Sequence, residues 1–512
     1  MFCKLNAFSL LGIEAVPVQV EVDCAESETP KNILVGLPET VVRESVFRIE
    51  RAIENSKYVF PCARNIINLA PADLPKQASC FDLPIALGIL KATGQISSER
   101  FQDCAVVGEL ALDGSLRGVK GVLSMALASK SFGIKQLVLP NENAAEASVV
   151  DGIEVIGVQT LSEAADYLAG NVDIVPAPPV DLKIFEELSV SDVDFGDVRG
   201  QETAKRAMTI AAAGGHNLLM IGPPGTGKTM LAKRFATLLP KLSLEESLET
   251  TRVFSVLGLL SKDKPLIAVR PFREPHHTIS EPGLAGGGSP PKPGEISLAH
   301  NGILFLDELP EFNRQTLEVL RQPLEDGYVT IARAAHTSRF PANFILLAAL
   351  NPCPCGYFSD PRRECRCSIN QIERYMNRIS GPLLDRIDIH IEVPPVKYEE
   401  LSASSPGITS AEMRQQVTVA RQKQAQRFAH VKTTKCNAEM KHNEIVQYCA
   451  LTEKGHLLLK TAMEDFGLSG RAHDKILRIA RTIADLEDKP DITPMHLYEA
   501  VTYRTLDRKL WK

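Results

Sequence analysis

The segment Gly222-Pro223-Pro224-Gly225-Thr226-Gly227-Lys228-Thr229 follows an apolar run, Asn217–Ile221, and precedes a stretch with helical spacing, Met230–Leu239. This strand, glycine loop and helix constrain the fold more than any other part of the chain. Glycines let the backbone curl until its N–H groups point inward, and the next helix adds the positive end of its dipole. Such a loop holds the phosphates of a nucleotide: Lys228 is expected at the β- and γ-phosphates and the Thr229 hydroxyl on Mg²⁺. A second apolar run, Ile303–Leu306, ends in Asp307 and Glu308. Asp307 is expected to share the Mg²⁺, and Glu308 to orient and deprotonate an attacking water. ATP and Mg²⁺ are therefore the expected cofactors.

Strands and helices alternate around this loop, with a further apolar run at Phe344–Leu350, which predicts a doubly wound parallel α/β sheet. At 512 residues the chain exceeds a single core. The proline-rich stretch Val175–Val180 reads as a semi-rigid spacer. Upstream, Val18–Val22, Ile66–Leu69, Ala105–Leu112 and Gln136–Leu139 read as strands, and Glu39–Asn55 and Leu83–Ala92 as helices. Beyond Pro395 the pattern turns helical, over Thr409–Phe428, Glu444–Ala450, Glu453–Phe466, Ala472–Glu487 and Pro494–Arg504, with Ser402–Pro406 as a loop. The expected division is 1–172, a linker 173–192, a nucleotide-binding core 193–395 and a helical lid 396–512.

Lys and Arg minus Asp and Glu gives −7 for residues 1–172, −3 for 173–395 and +4 for 396–512. Nucleic-acid contacts are thus expected from local basic loops or the last segment, not from the whole surface. No stretch approaches the ~18 apolar residues of a membrane span, and the start lacks the pattern of a signal peptide. A cytoplasmic, membrane-free protein is expected, in which the eleven cysteines stay reduced. Cys353, Cys355, Cys365 and Cys367 form two C-x-C pairs nine residues apart, which suggests a tetrahedral structural Zn²⁺. Four free thiols on a loop are the alternative.

The order of these motifs resembles an AAA+ ATPase, with a parallel-sheet core and an α-helical lid. On that resemblance, Asp197–Gln201 is similar to the adenine-side segment. Asn351 is similar to sensor 1. Arg386, within Pro382–Asp388, stands where an arginine finger acts on a neighbour's nucleotide, and Arg471, after Ser469-Gly470, stands where sensor 2 opens a lid helix. The insertions Arg270–Glu295 and Thr330–Pro341 resemble the magnesium-chelatase-like branch. The whole chain is similar to the ComM/YifB family, which implies an N-terminal α+β domain with the Lon-protease fold. Active proteases of that fold use a Ser–Lys dyad, whereas aligned positions here carry Asp82 and Met125, so a non-proteolytic domain is expected. Ser79, Lys76 and Lys120 lie close enough in sequence to be a displaced dyad.

The resemblance further implies a homo-hexameric helicase that promotes branch migration as incoming DNA recombines during natural transformation. Arg270, Arg273, His276, His277 and Lys292 on one insertion, and Arg333, His336 and Arg339 on a hairpin, would then face a central pore and hold DNA phosphates. Alternatively the histidines pack or cap their loops. The rival functions are a chelatase-type metal-insertion motor, an ATP-dependent unfoldase or protease, and a nucleotide-gated scaffold.

Overall fold

The computed structural model describes the chain except residues 1, 38–39, 73, 75, 77–78, 98–99, 180–192, 262, 333–336, 359, 361, 397, 399, 401–406, 432–433 and 507–512. Arg333 and His336, and the expected loop at Ser402–Pro406, therefore lie outside the described residues.

The N-terminal domain is built on a seven-stranded mixed sheet. Its spatial order is Lys31–Val35, Arg64–Ala70, Glu14–Ala25, Phe2–Leu11, Cys104–Val106, Gln136–Pro140 and Glu154–Val158. Phe2–Leu11 and Glu14–Ala25 form a long antiparallel hairpin, registered from Phe2 opposite Asp23 to Leu11 opposite Glu14. Helix Asp82–Ala92 lies in the core, with Lys91 alone of its residues not buried. It approaches the sheet closely at Gly88, where a Cβ would come within 2.7 Å of Val22 Cγ2. The strand expected over Ala105–Leu112 breaks after Val106 because the chain turns to serve this helix: Gly108 N–H donates to Cys80 O, and Gly108 O accepts from Leu83 N–H.

The middle of the chain forms a five-stranded, wholly parallel sheet in the order Phe272–Arg273, Ile303–Leu306, Ile345–Leu350, Leu218–Ile221 and Ile389–Glu392. Of the four longer strands, three are wholly apolar and buried, and the edge strand Ile389–Glu392 is buried except for Glu392, as expected of a sheet covered on both faces. The phosphate loop, Asp307 and Asn351 leave three adjacent strands at their C-terminal ends, where sites form in such sheets. Helix Lys228–Phe235 begins two residues earlier than its spacing predicts, and it tightens into a 3₁₀ turn over Ala236–Leu238.

Five lid helices follow: Ser410–Arg427, His442–Tyr448, Glu453–Phe466, Gly470–Leu486 and Pro494–Thr502. Thr409, Ser469 and Thr493 cap their helices through side-chain oxygens, so local sequence sets these starts. Among the described residues, the apolar core of the lid is continuous with that of the sheet. Val417, Ala420, Ile476 and Leu497 share one cluster with Ala207, Ile210, Leu218 and Leu347.

The N-terminal domain docks on helix Leu244–Leu257 in the middle of the chain. Arg252 pairs with Glu14 at 2.8 Å and donates to Ile13 O at 3.2 Å. Ser255 donates to buried Glu146, and Gly121 N–H donates to Ser255 O at 3.1 Å. The spacer also starts ordered, with Ala177 N–H on Val155 O at 2.8 Å.

Candidate nucleotide site

Gly225 and Gly227 both take left-handed backbone, φ 78° and 88°, which turns the loop into its cradle and starts the helix at Lys228. Gly222 is needed for space, since a Cβ there would lie 2.3 Å from Val393 O. Lys228 Nζ donates to Gly222 O at 2.7 Å, Pro223 O at 2.9 Å and Asn351 Oδ1 at 3.1 Å. Burial holds its pKa down to about 8, against the pull of the Asp307 and Glu308 carboxylates. Thr229 Oγ1 donates to Asp307 Oδ2 at 2.6 Å, so the two groups expected on Mg²⁺ are already together. Thr226 Oγ1 closes the loop onto Pro223 O at 3.0 Å.

Glu308 also has left-handed backbone, φ 52°. Its carboxylate is 3.4 Å from His277 Nδ1. His277 in turn stacks on His276 at 4.1 Å and meets the edge of Phe312 at 6.4 Å. The sequence suggests His277 as a DNA contact. The structure places it on the expected catalytic carboxylate instead.

Arg386 sits at the opposite end of the sheet from the phosphate loop, just before edge strand Ile389–Glu392. Its carbonyl accepts from Asn217, at the start of the strand whose far end carries the phosphate loop. Its guanidinium pairs with Glu325 and donates to Pro382 O at 2.6 Å. Arg386 thus lies by the start of the Leu218–Ile221 strand, not by the phosphate loop at that strand's far end. Glu325 escapes sequence reasoning because nothing local marks a partner 61 residues away. Arg471 is exposed in the first turn of helix Gly470–Leu486 and helps hold the Glu325 carboxyl below its usual range, after Arg386.

The four cysteines converge, with their sulfurs all within 4.8 Å of one another. Sγ separations are 3.3 Å for Cys353–Cys355, 3.7 Å for Cys353–Cys365 and 3.6 Å for Cys355–Cys365. A ZnS₄ tetrahedron with Zn–S of about 2.3 Å has edges of about 3.8 Å, so the donor set fits that ion. The Tyr357 N–H holds the Cys355 thiol down to about 6, while burial pushes Cys353 up to about 12. The loop leans on the phosphate site: Gly356, φ 84°, lies so close that a Cβ would be 2.6 Å from Pro224 Cδ.

The expected DNA-binding cations divide. Arg270 is committed internally, donating to Pro240 O and Asn301 O, both at 2.7 Å, and pairing with Glu246 at 3.0 Å. Its position corrects the expectation of a loop-tip cation: it ties the insertion to the base of the Ile303–Leu306 strand. Arg273 is held by both oxygens of Glu295, at 2.6 and 2.8 Å. Lys292, His276 and Arg339 are exposed. Arg339 lies 4.9 Å over the Tyr328 ring, on the expected hairpin of Tyr328–Ala332 with Thr337–Pro341.

In the N-terminal domain Asp82 is buried and pairs with Arg48 at 2.9 Å. Burial raises its pKa to about 6 despite Arg48. Met125 is buried, Lys76 is buried with Nζ on Pro71 O, and Lys120 is exposed.

Sheet order, phosphate loop and paired acids define a P-loop protein with the AAA+ architecture. Three family profiles agree. The magnesium chelatase subunit ChlI profile matches residues 194–401, its C-terminal profile residues 407–504, and the profile for subunit ChlI of Mg-chelatase residues 20–143. The chain is 44% identical over 510 residues to competence protein ComM of Haemophilus influenzae, covering 98% of this chain and 97% of that protein. It is 44% identical over 501 residues to the uncharacterized protein YifB of Escherichia coli, covering 98% and 96%. A shorter likeness, 31% over 197 residues, links it to Lon protease 2 of Bacillus subtilis, covering 35% of this chain and 33% of that protein. The chain belongs to the ComM/YifB family of magnesium-chelatase-like AAA+ proteins.

Proposed function

We propose that this protein is an ATP-driven motor that moves DNA strands, working as a homo-hexameric ring in branch migration. The observation that carries the ring is the separation of Arg386 from its own phosphate loop along the sheet. A finger so placed serves a neighbour's nucleotide, which couples hydrolysis to assembly. DNA as the substrate is supported by the likeness to the Haemophilus competence protein, and by Lys292 and Arg339 exposed on the two insertions.

In the proposed cycle, incoming phosphates draw Lys228 Nζ away from the Gly222 and Pro223 carbonyls. Thr229 and Asp307 would hold Mg²⁺, which would neutralise charge on the phosphates. Glu308 accepts the proton of the attacking water, and Asn351 holds polar contact on the γ-phosphate side. Arg386 from the neighbour, freed from Glu325, stabilises the transferring phosphoryl group, with Arg471 on the lid closing over the site. Cys353, Cys355, Cys365 and Cys367 would hold a structural Zn²⁺. The buried Asp82–Arg48 pair and Met125 favour an N-terminal domain without peptidase chemistry.

The family profiles favour a second reading, a metal-insertion motor. A strand-exchange assay separates them. Purified protein with ATP and Mg²⁺ should unwind forked DNA or move a four-way junction. Failure under every condition that gives rings overturns the DNA motor.

A further inference from the structure

Beside the cysteine loop lies an open cleft of about 500 Å³, lined in part by Cys355, Arg366, Arg374 and Arg378. A neighbouring cleft of about 350 Å³ adds Arg314 and Asn313. Glu311, Arg374 and Arg378 line both, so the two run together as one groove. Arg314, Arg366 and Arg374 are exposed, and among the described residues no side-chain hydrogen bond or salt bridge engages their guanidinium groups, although Arg314 lies within electrostatic reach of the Glu318 carboxylate. Arg378 alone is engaged, donating to Glu311 at 2.9 Å and to Pro310 O at 3.2 Å. Four arginines and a single acid, Glu311, thus line the groove, in a chain whose net charge is −6. Unpaired arginines gathered in a cleft match the planar, bidentate recognition of phosphate.

We infer that this groove holds the phosphodiester backbone of a single DNA strand, at a surface separate from the two insertions. The inference rests on the DNA-motor reading. The shape favours a strand over a free nucleotide. The groove is open and extended, and its Tyr375 is buried, leaving no exposed aromatic face for a base. Its wall is also the wall of the nucleotide site. The cysteine loop runs from Asn351, which holds Lys228, through Gly356 against Pro224, to Arg366. A strand seated on Arg366 and Arg374 therefore bears on the phosphate loop through one short loop.

The test is fluorescence anisotropy of a labelled oligothymidylate, titrated with the full chain across a salt series. Variants are Arg314→Glu/Arg374→Glu and, as a charge-matched control, Arg362→Glu/Arg363→Glu, whose arginines lie on the cysteine loop but are engaged by Asp360 and Tyr357. The groove variant should bind about tenfold more weakly, with the log–log salt slope reduced by about 0.7 for each phosphate that the protein no longer neutralises. The control should stay close to wild type. Equal weakening in both variants, or none in either, overturns the groove. So does a variant that keeps strand binding but loses DNA-free ATP turnover, since its arginines would then serve a neighbour's nucleotide. Arg314→Glu alone, remote from the cysteines, decides the matter if the paired variant loses metal or fold. Wild-type protein that binds no DNA overturns the motor reading itself, and the groove with it.

Discussion

Glu308 joins two unusual features: left-handed backbone and a histidine on its carboxylate. Non-glycine residues in that conformation carry a cost that surrounding structure must hold in place, and they cluster at working sites. Glu308→Gln keeps the size and removes the base. ATP binding should persist while turnover falls by about a hundredfold or more, measured by nucleotide titration and phosphate release. Lys228 makes a second prediction. Its pKa is lowered to about 8 by burial, so the free site loses its positive charge as pH rises through that value. Phosphates favour the charged form, so ATP binding above pH 8 must take up a proton. Affinity should fall by up to about tenfold per pH unit there. Calorimetry in buffers of different ionisation enthalpy reads that proton directly, and equal apparent enthalpies would refute it.

Elements set by local signals are legible in the sequence, and those set by distant packing are not. The strand, loop and helix around Gly222–Thr229 follow from an apolar run and glycines, and the lid helices from capping residues and spacing. Helix Val122–Ser131 escapes such reading. It is buried through most of its length, so it shows no amphipathic stripe. The edge strand Glu154–Val158 is short, and Phe2–Leu11 is recognisable only through its hairpin partner. At the site, the acids and the lysine are readable because each motif is contiguous. Glu325 on Arg386, and His277 on Glu308, depend on the folded chain alone. The cysteine loop lies between these cases: its spacing is visible, its contact with Pro224 is not. It yields a prediction at this scale. Elemental analysis should find about one zinc per chain, and its removal by chelator should weaken ATP binding several-fold while the sheet stays folded by circular dichroism.

At the scale of the whole molecule, one terminal nitrogen of the Arg386 guanidinium pairs with Glu325 in its own chain, while its buried Nε has no hydrogen-bond partner among the described residues. On the proposed ring mechanism, a lone subunit would bind nucleotide but lack the cation that completes the reaction. Turnover per chain should rise steeply with protein concentration as rings form. Arg386→Ala should abolish that rise while leaving ATP binding near wild type. Mixing Arg386→Ala with Glu308→Gln chains should restore part of the activity, because a mixed interface can pair an intact base with an intact finger. No recovery, with mixed rings verified by mass spectrometry, would place Arg386 outside the neighbour's site.

Helix Leu244–Leu257 has the N-terminal domain on one side, through Arg252 and Ser255. Elsewhere on the same helix, Glu246 holds Arg270, and Thr250 takes a hydrogen bond from Asn301, which stands just before the Ile303–Leu306 strand. One rod is thus fastened at both ends, between the outer, N-terminal domain and the parallel sheet. Whatever tilt the sheet undergoes during turnover, the outer domain must copy. A fluorophore pair across two neighbouring outer domains would accordingly serve as a gauge of the power stroke, far from the nucleotide and without touching it.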